Sequence, residues 1–114
     1  MEKIVEQTLL YDFYGDLLTE HQRRIYEDVV FNDYSLSEVA EELGTSRQGV
    51  HDNLKRCSRI LQSYEDKLHL VEKFVTIREK IRQIHQLSRD CDSLSKQELV
   101  SRIEEISQEI LKEL

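Results

Sequence analysis

The residues of this 114-residue chain best able to bind a metal or attack a substrate are four histidines and two cysteines. His21, His51, His69 and His85 keep no ligand-like spacing to one another or to Cys57 and Cys91, as a zinc site would need. His85 and Cys91 fit no nucleophile–base signature, and neither cysteine belongs to a CxxC pair. No GxGxxG and no phosphate loop occurs. The inventory therefore implies no enzyme, no catalytic residue, no cofactor and no metal. Cys57 falls on an apolar stripe and reads as a small hydrophobe, while Cys91 reads as a loop thiol without a role. What remains is a group of cations and amides suited to phosphates and base edges.

That group is localised by charge. Residues 1–44 hold 11 acids and 3 bases, residues 65–114 hold 11 acids and 9 bases, and the whole chain carries −7. Between them, residues 45–64 hold Arg47, Lys55, Arg56 and Arg59 against Asp52 alone. A molecule of this net charge repels nucleic acid and anionic membrane at long range, so any such contact must come from the basic segment. The plainer reading of four bases on a helix is a solvated face. No apolar run is long enough for a bilayer, so no segment is expected to span one and no membrane partner is expected. The first ten residues, MEKIVEQTLL, are too acidic for a signal peptide, so a cytoplasmic location with reduced thiols is expected.

The elements that must hold these residues are helices. No Pro and only three Gly argue against a many-turned β chain. Four capping boxes, each a Ser or Thr followed three residues on by Glu or Gln, mark Thr19–Gln22, Ser35–Glu38, Thr45–Gln48 and Ser95–Glu98. Apolar periodicity predicts helices over about 3–14, 20–31, 36–43, 46–64, 69–87 and 96–113. The first would bury Ile4, Thr8, Leu9, Phe13 and Leu17, and the second Ile25, Tyr26 and Val29. An unbroken helix from 46 to 87 would be about 63 Å long, too long for so small a domain, so a break near 65–69 is expected. The fold class is all-α, with residues 1–64 forming one domain and residues 65–114 a C-terminal helical extension. The apolar stripes of that extension (Leu70, Phe74, Ile77, Ile81, Ile84; Leu99, Ile103, Ile106, Ile110) exceed what two surface helices require. They predict a homodimer joined through the C-terminal helices.

Within LSEVAEELGTSRQGVHDNLKR the spacing suits a helix-turn-helix. Val39 and Ala40 let a second helix cross closely, Leu43 supports them, Gly44 makes the turn, and Val50 closes the contact. The second helix then presents Ser46, Arg47, Gln48, His51, Asp52, Lys55 and Arg56 as candidate DNA contacts. Arginine pairs with guanine and glutamine with adenine in the major groove, while open amides at the helix start, with the Ser46 hydroxyl, suit a phosphate. Asp52 opposes an anion unless it accepts from a cytosine amine, and Gly49 inside the helix costs about 1 kcal/mol against Ala.

The stretch LTEHQRRIYEDVVFNDYSLSEVAEELGTSRQGVHDNLKR resembles region 4 of bacterial sigma-70 factors, in which such a motif reads a promoter element. From LLYDFYGDLLTEHQ through SYEDKL, and on to about residue 87, the chain is more similar to the YlxM family of small bacterial helix-turn-helix proteins, encoded beside signal recognition particle genes. The resemblance implies a sigma-region-4-like bundle, double-stranded DNA as partner and a part in transcription regulation. Through the neighbouring genes it also implies a part in the signal recognition particle pathway, with components of that particle as partners. The polymerase-clamping part of a sigma factor is missing, so initiation itself is not expected. Two alternatives stay open: a non-catalytic protein-interaction module of that pathway that does not bind DNA, and RNA binding through the same helix.

Overall fold

The computed structural model describes residues 1–114 as six α-helices without a strand. They form two compact units, Met1–His69 and Leu70–Leu114. The first holds α1 (Lys3–Tyr14), α2 (Glu20–Tyr26), α3 (Leu36–Leu43) and α4 (Arg47–Leu68), and the second holds α5 (Leu70–Arg89) and α6 (Lys96–Glu113).

In the first unit α4 is the spine, packed against α1, α2 and α3. Ile25, Val39, Ala40 and Val50 make the core where α2, α3 and α4 meet, and Val29, Leu36, Leu43 and Leu54 close around it. Ala40 matters for its smallness, since a longer side chain would hold α3 away from α4. Two capping boxes are complete: Thr19 and Ser35 each accept from the third residue on, whose side chain accepts from the cap backbone in return.

Three local expectations are corrected. On α1 the buried row is Leu9, Leu10 and Tyr14, with Leu18 just beyond, whereas Ile4, Phe13 and Leu17 are exposed. Residues 9–18 are apolar on almost every side, so periodicity could not choose a face; contact with α4 does. Tyr14 stacks on Tyr64 at 6.0 Å, and its hydroxyl donates to Glu65 at 2.6 Å. Second, α2 does not continue regularly to 31. It widens into a π-helical turn, Glu27–Phe31, with Asn32 N–H bonded to Glu27 at 3.0 Å. The extra residue brings Phe31 against Tyr11 and Tyr26, at 5.3 and 5.9 Å, while those two rings stack at 5.3 Å. Third, the break expected near 65–69 is there, at the single left-handed residue His69 (φ 57°), but α4 runs on to Leu68 rather than ending near 64.

The second unit is a pair of helices joined through a 3₁₀ turn, Cys91–Ser93. Leu87 and Ile106 are buried, and Lys80 bridges to Glu109 at 2.6 Å, a bond that raises the lysine's pKa. Of the predicted α6 stripe, Ile106 is buried whereas Ile103 is 40% exposed.

Candidate nucleic-acid interface

Construction of the interface begins at the turn. Gly44 ends α3 with φ 69°, and nothing lies within 4 Å of where a Cβ would stand, so the glycine answers a backbone need alone. The N–H of Thr45 bonds to Ala40 at 3.0 Å and that of Gly44 to Glu41 at 3.3 Å, closing the helix end in a Schellman motif. Thr45 is thereby held in the turn, and the expected Thr45–Gln48 capping box does not form. The next residue caps instead: Ser46 is extended, and its hydroxyl accepts from Gly49 N–H at 2.9 Å. Gly49 serves this cap. A Cβ there would stand 2.9 Å from the Thr45 hydroxyl and 3.1 Å from that of Ser46.

From Ser46 onward α4 sorts its residues by face. Val50 and Cys57 are buried completely, and burial pushes the Cys57 thiol upward in pKa. On the outer side Ser46, Arg47, Gln48, Asp52, Lys55 and Arg56 are exposed and His51 is half-buried, so the seven candidate contacts share one accessible surface. Gln48 donates to Asp52 at 3.0 Å, occupying one oxygen of the acid that lies among the bases. The Nδ1 atom of His51 lies 3.8 Å from the same carboxylate, is itself buried and has no hydrogen-bond partner.

Electrostatics separates this face from the rest of the unit. The arginines of α2 are neutralised: Arg24 bridges to Glu42 at 2.5 Å and Arg23 to Asp16 at 3.4 Å. Arg47, Lys55, Arg56 and Arg59 of α4 make no ion pair, although acids outnumber bases in the chain. The other five helices each carry a glutamate in the first turn, whereas α4 has no acid there. The positive end of its macrodipole therefore stands with Arg47 and the free amides, the arrangement that attracts an anion.

A resemblance in sequence becomes kinship at this point. The family model described as "Putative helix-turn-helix protein, YlxM / p13 like" matches residues 1–109. The chain belongs to the UPF0122 family. A UPF0122 protein of Acetivibrio thermocellus is 44% identical across 97% of this chain and 98% of its own length. Another, from Lactococcus lactis subsp. cremoris, is 39% identical over 95% of this chain and 93% of its own. A UPF0122 protein of Caldanaerobacter subterraneus subsp. tengcongensis reaches 54% over a shorter stretch, 69% of this chain and 68% of its own. The family model spans both units, so the C-terminal helix pair is part of what UPF0122 proteins share.

Two cations escaped the candidate set. Arg59 lies one further turn along the row begun by His51 and Lys55, and the four-residue step could have identified it. Lys3 could not have been found that way, because only folding brings the first turn of α1 beside α4. Both line an open groove of about 500 Å³ on the flank of α4, floored by Val29, Val30 and Leu54. Tyr26 stands in its wall, and burial pushes that phenol up to about 12.

Proposed function

We propose that this UPF0122 protein is a DNA-binding regulator that sets α4 in the major groove of a duplex. One observation carries the reading: in an acid-rich chain, four cations without ion pairs, Arg47, Lys55, Arg56 and Arg59, lie exposed on the helix that follows the Gly44 turn. Arg47 and Gln48 suit base edges, Ser46 and the open amides suit a phosphate, and Lys55 and Arg56 suit the backbone on either side. A single helix offers few phosphate contacts, so binding is weak for one copy and falls steeply with salt. The protein acts as a homodimer through α5 and α6, with DNA as its partner and the signal recognition particle pathway as its setting. Fluorescence anisotropy with labelled duplex at low and moderate salt is the test. Binding at low salt that is lost in Arg47→Ala is expected, and no duplex binding even at low salt rejects the reading.

A second reading draws on α3. Glu38, Glu41 and Glu42 are exposed there, on the helix that in helix-turn-helix docking crosses the DNA backbone. Acids at that position favour a protein partner, as in a non-catalytic module of the same pathway. Retention of a captured signal recognition particle component by Arg47→Ala, together with absence of duplex binding by the unaltered chain, selects this second reading.

A further inference from the structure

We propose that the groove between α4, the first turn of α1 and the π-helical turn is a track for a nucleic-acid sugar–phosphate strand, extending the binding face beyond the helix-turn-helix. The proposal rests on the DNA-binding reading. Lys3, Lys55 and Arg59 stand at its edge, and no acid is among the residues that line it. That exclusion is informative in a chain with 23 acids in 114 residues. None of the three cations is spent on an ion pair within the chain.

The floor and the rim ask for different things, and a backbone strand offers both. Val29, Val30 and Leu54 give an apolar surface on which the carbon faces of the sugars can lie, while the rim cations meet the phosphates on either side. An acidic peptide shares part of that chemistry. Continuity decides between them: His51 and Lys55 belong both to the groove and to the outer face of α4, so a strand flanking a duplex seated on α4 runs directly into the groove. Lys3 and Arg59 thus become positioning contacts that carry no sequence information and raise affinity equally for all duplexes.

The experiment is a salt series on the full chain, with a labelled duplex of arbitrary sequence between about 50 and 200 mM NaCl. Each phosphate contact contributes about 0.9 to the slope of log K against log salt, so Lys3→Ala and Arg59→Ala should each flatten it by that amount. Each variant then loses roughly 3-fold less affinity than the unaltered chain over that range. The charge-keeping variants Lys3→Arg and Arg59→Lys should retain the slope, and circular dichroism should show all four folded. Duplex binding that depends on Arg47 but keeps its full slope in both alanine variants overturns the groove and leaves the DNA-binding reading standing. No duplex binding at low salt overturns both. Capture of a labelled poly-glutamate peptide through Lys3 and Arg59, with the duplex slope unchanged, assigns the groove to an acidic protein segment and overturns the proposal.

Discussion

Asp52 and Arg47 share the outer side of α4 and pull an approaching phosphate in opposite directions. Gln48 holds one carboxylate oxygen of Asp52 but does not remove its charge. Asp52→Asn should therefore tighten low-salt duplex binding several-fold, whereas Arg47→Ala should weaken it by about 1–3 kcal/mol; equal affinities across the three proteins would exclude a duplex on this face. A different residue reports on the floor beneath it. Burial raises the Tyr26 phenol from 10.0 to about 12, so the folded chain keeps a proton that the unfolded chain gives up earlier. The stability tied to that proton is complete below about pH 10 and drains away as pH climbs to 12. Alkaline urea midpoints should fall more steeply for the native chain than for Tyr26→Phe across that interval. The exposure of Arg47 through Arg56 along α4 was legible because helical periodicity assigns residues to a side before any fold is known. Lys3 was not, since its place depends on how α1 docks, and Asp52's bond to Gln48 shows only in side-chain geometry.

Elements carry the next constraint, for the outer face exists only because Gly44 reverses the backbone. With open space around its missing Cβ, Gly44→Ala meets no clash but must hold a left-handed conformation, at a cost of about 1 kcal/mol. Ser46→Ala removes the N-cap and should cost about the same. Urea midpoints should show both losses and, with the sites in contact, a sum that is not additive. If Gly44→Ala leaves the midpoint unchanged, the turn is not what holds α4 across α3. Helix existence, the Gly44 turn and the Val39–Ala40–Val50 contact were readable from spacing, since each depends on residues close in sequence. Spacing alone allows α4 to start after Thr45 or after Ser46; the Schellman bonds claim Thr45 and leave Ser46 as the cap, a competition that spacing cannot rank. The π-helical turn was illegible for a related reason. Its widening suits an aromatic cluster whose third member, Tyr11, lies on another helix.

At the scale of the whole molecule, the proposed DNA reading calls for two copies of α4, and the second unit is where the proposed homodimer would form. Helix α6 carries two apolar rows. Ile106 is buried on one, while Val100, Ile103, Leu111 and Leu114 lie along the other at 57%, 40%, 69% and 84% exposure. On α5, Ile81 is 54% exposed. A two-helix unit can hide only one face of each helix, so a second outward row on α6 has no use in an isolated copy, and a twofold partner burying the same row is the simplest use of it. Light scattering should therefore return twice the 13.6 kDa chain mass. Ile103→Glu combined with Leu111→Glu should return the single mass without loss of helix, because both side chains are exposed. Duplex affinity should drop with it, since two α4 helices set one DNA turn apart, about 34 Å, engage a paired site that one copy only half fills. The double variant separates the units' roles. If it becomes a monomer yet binds a paired site as tightly as the unaltered chain, the outward row of α6 serves some other contact and the doubling of α4 contributes nothing to recognition.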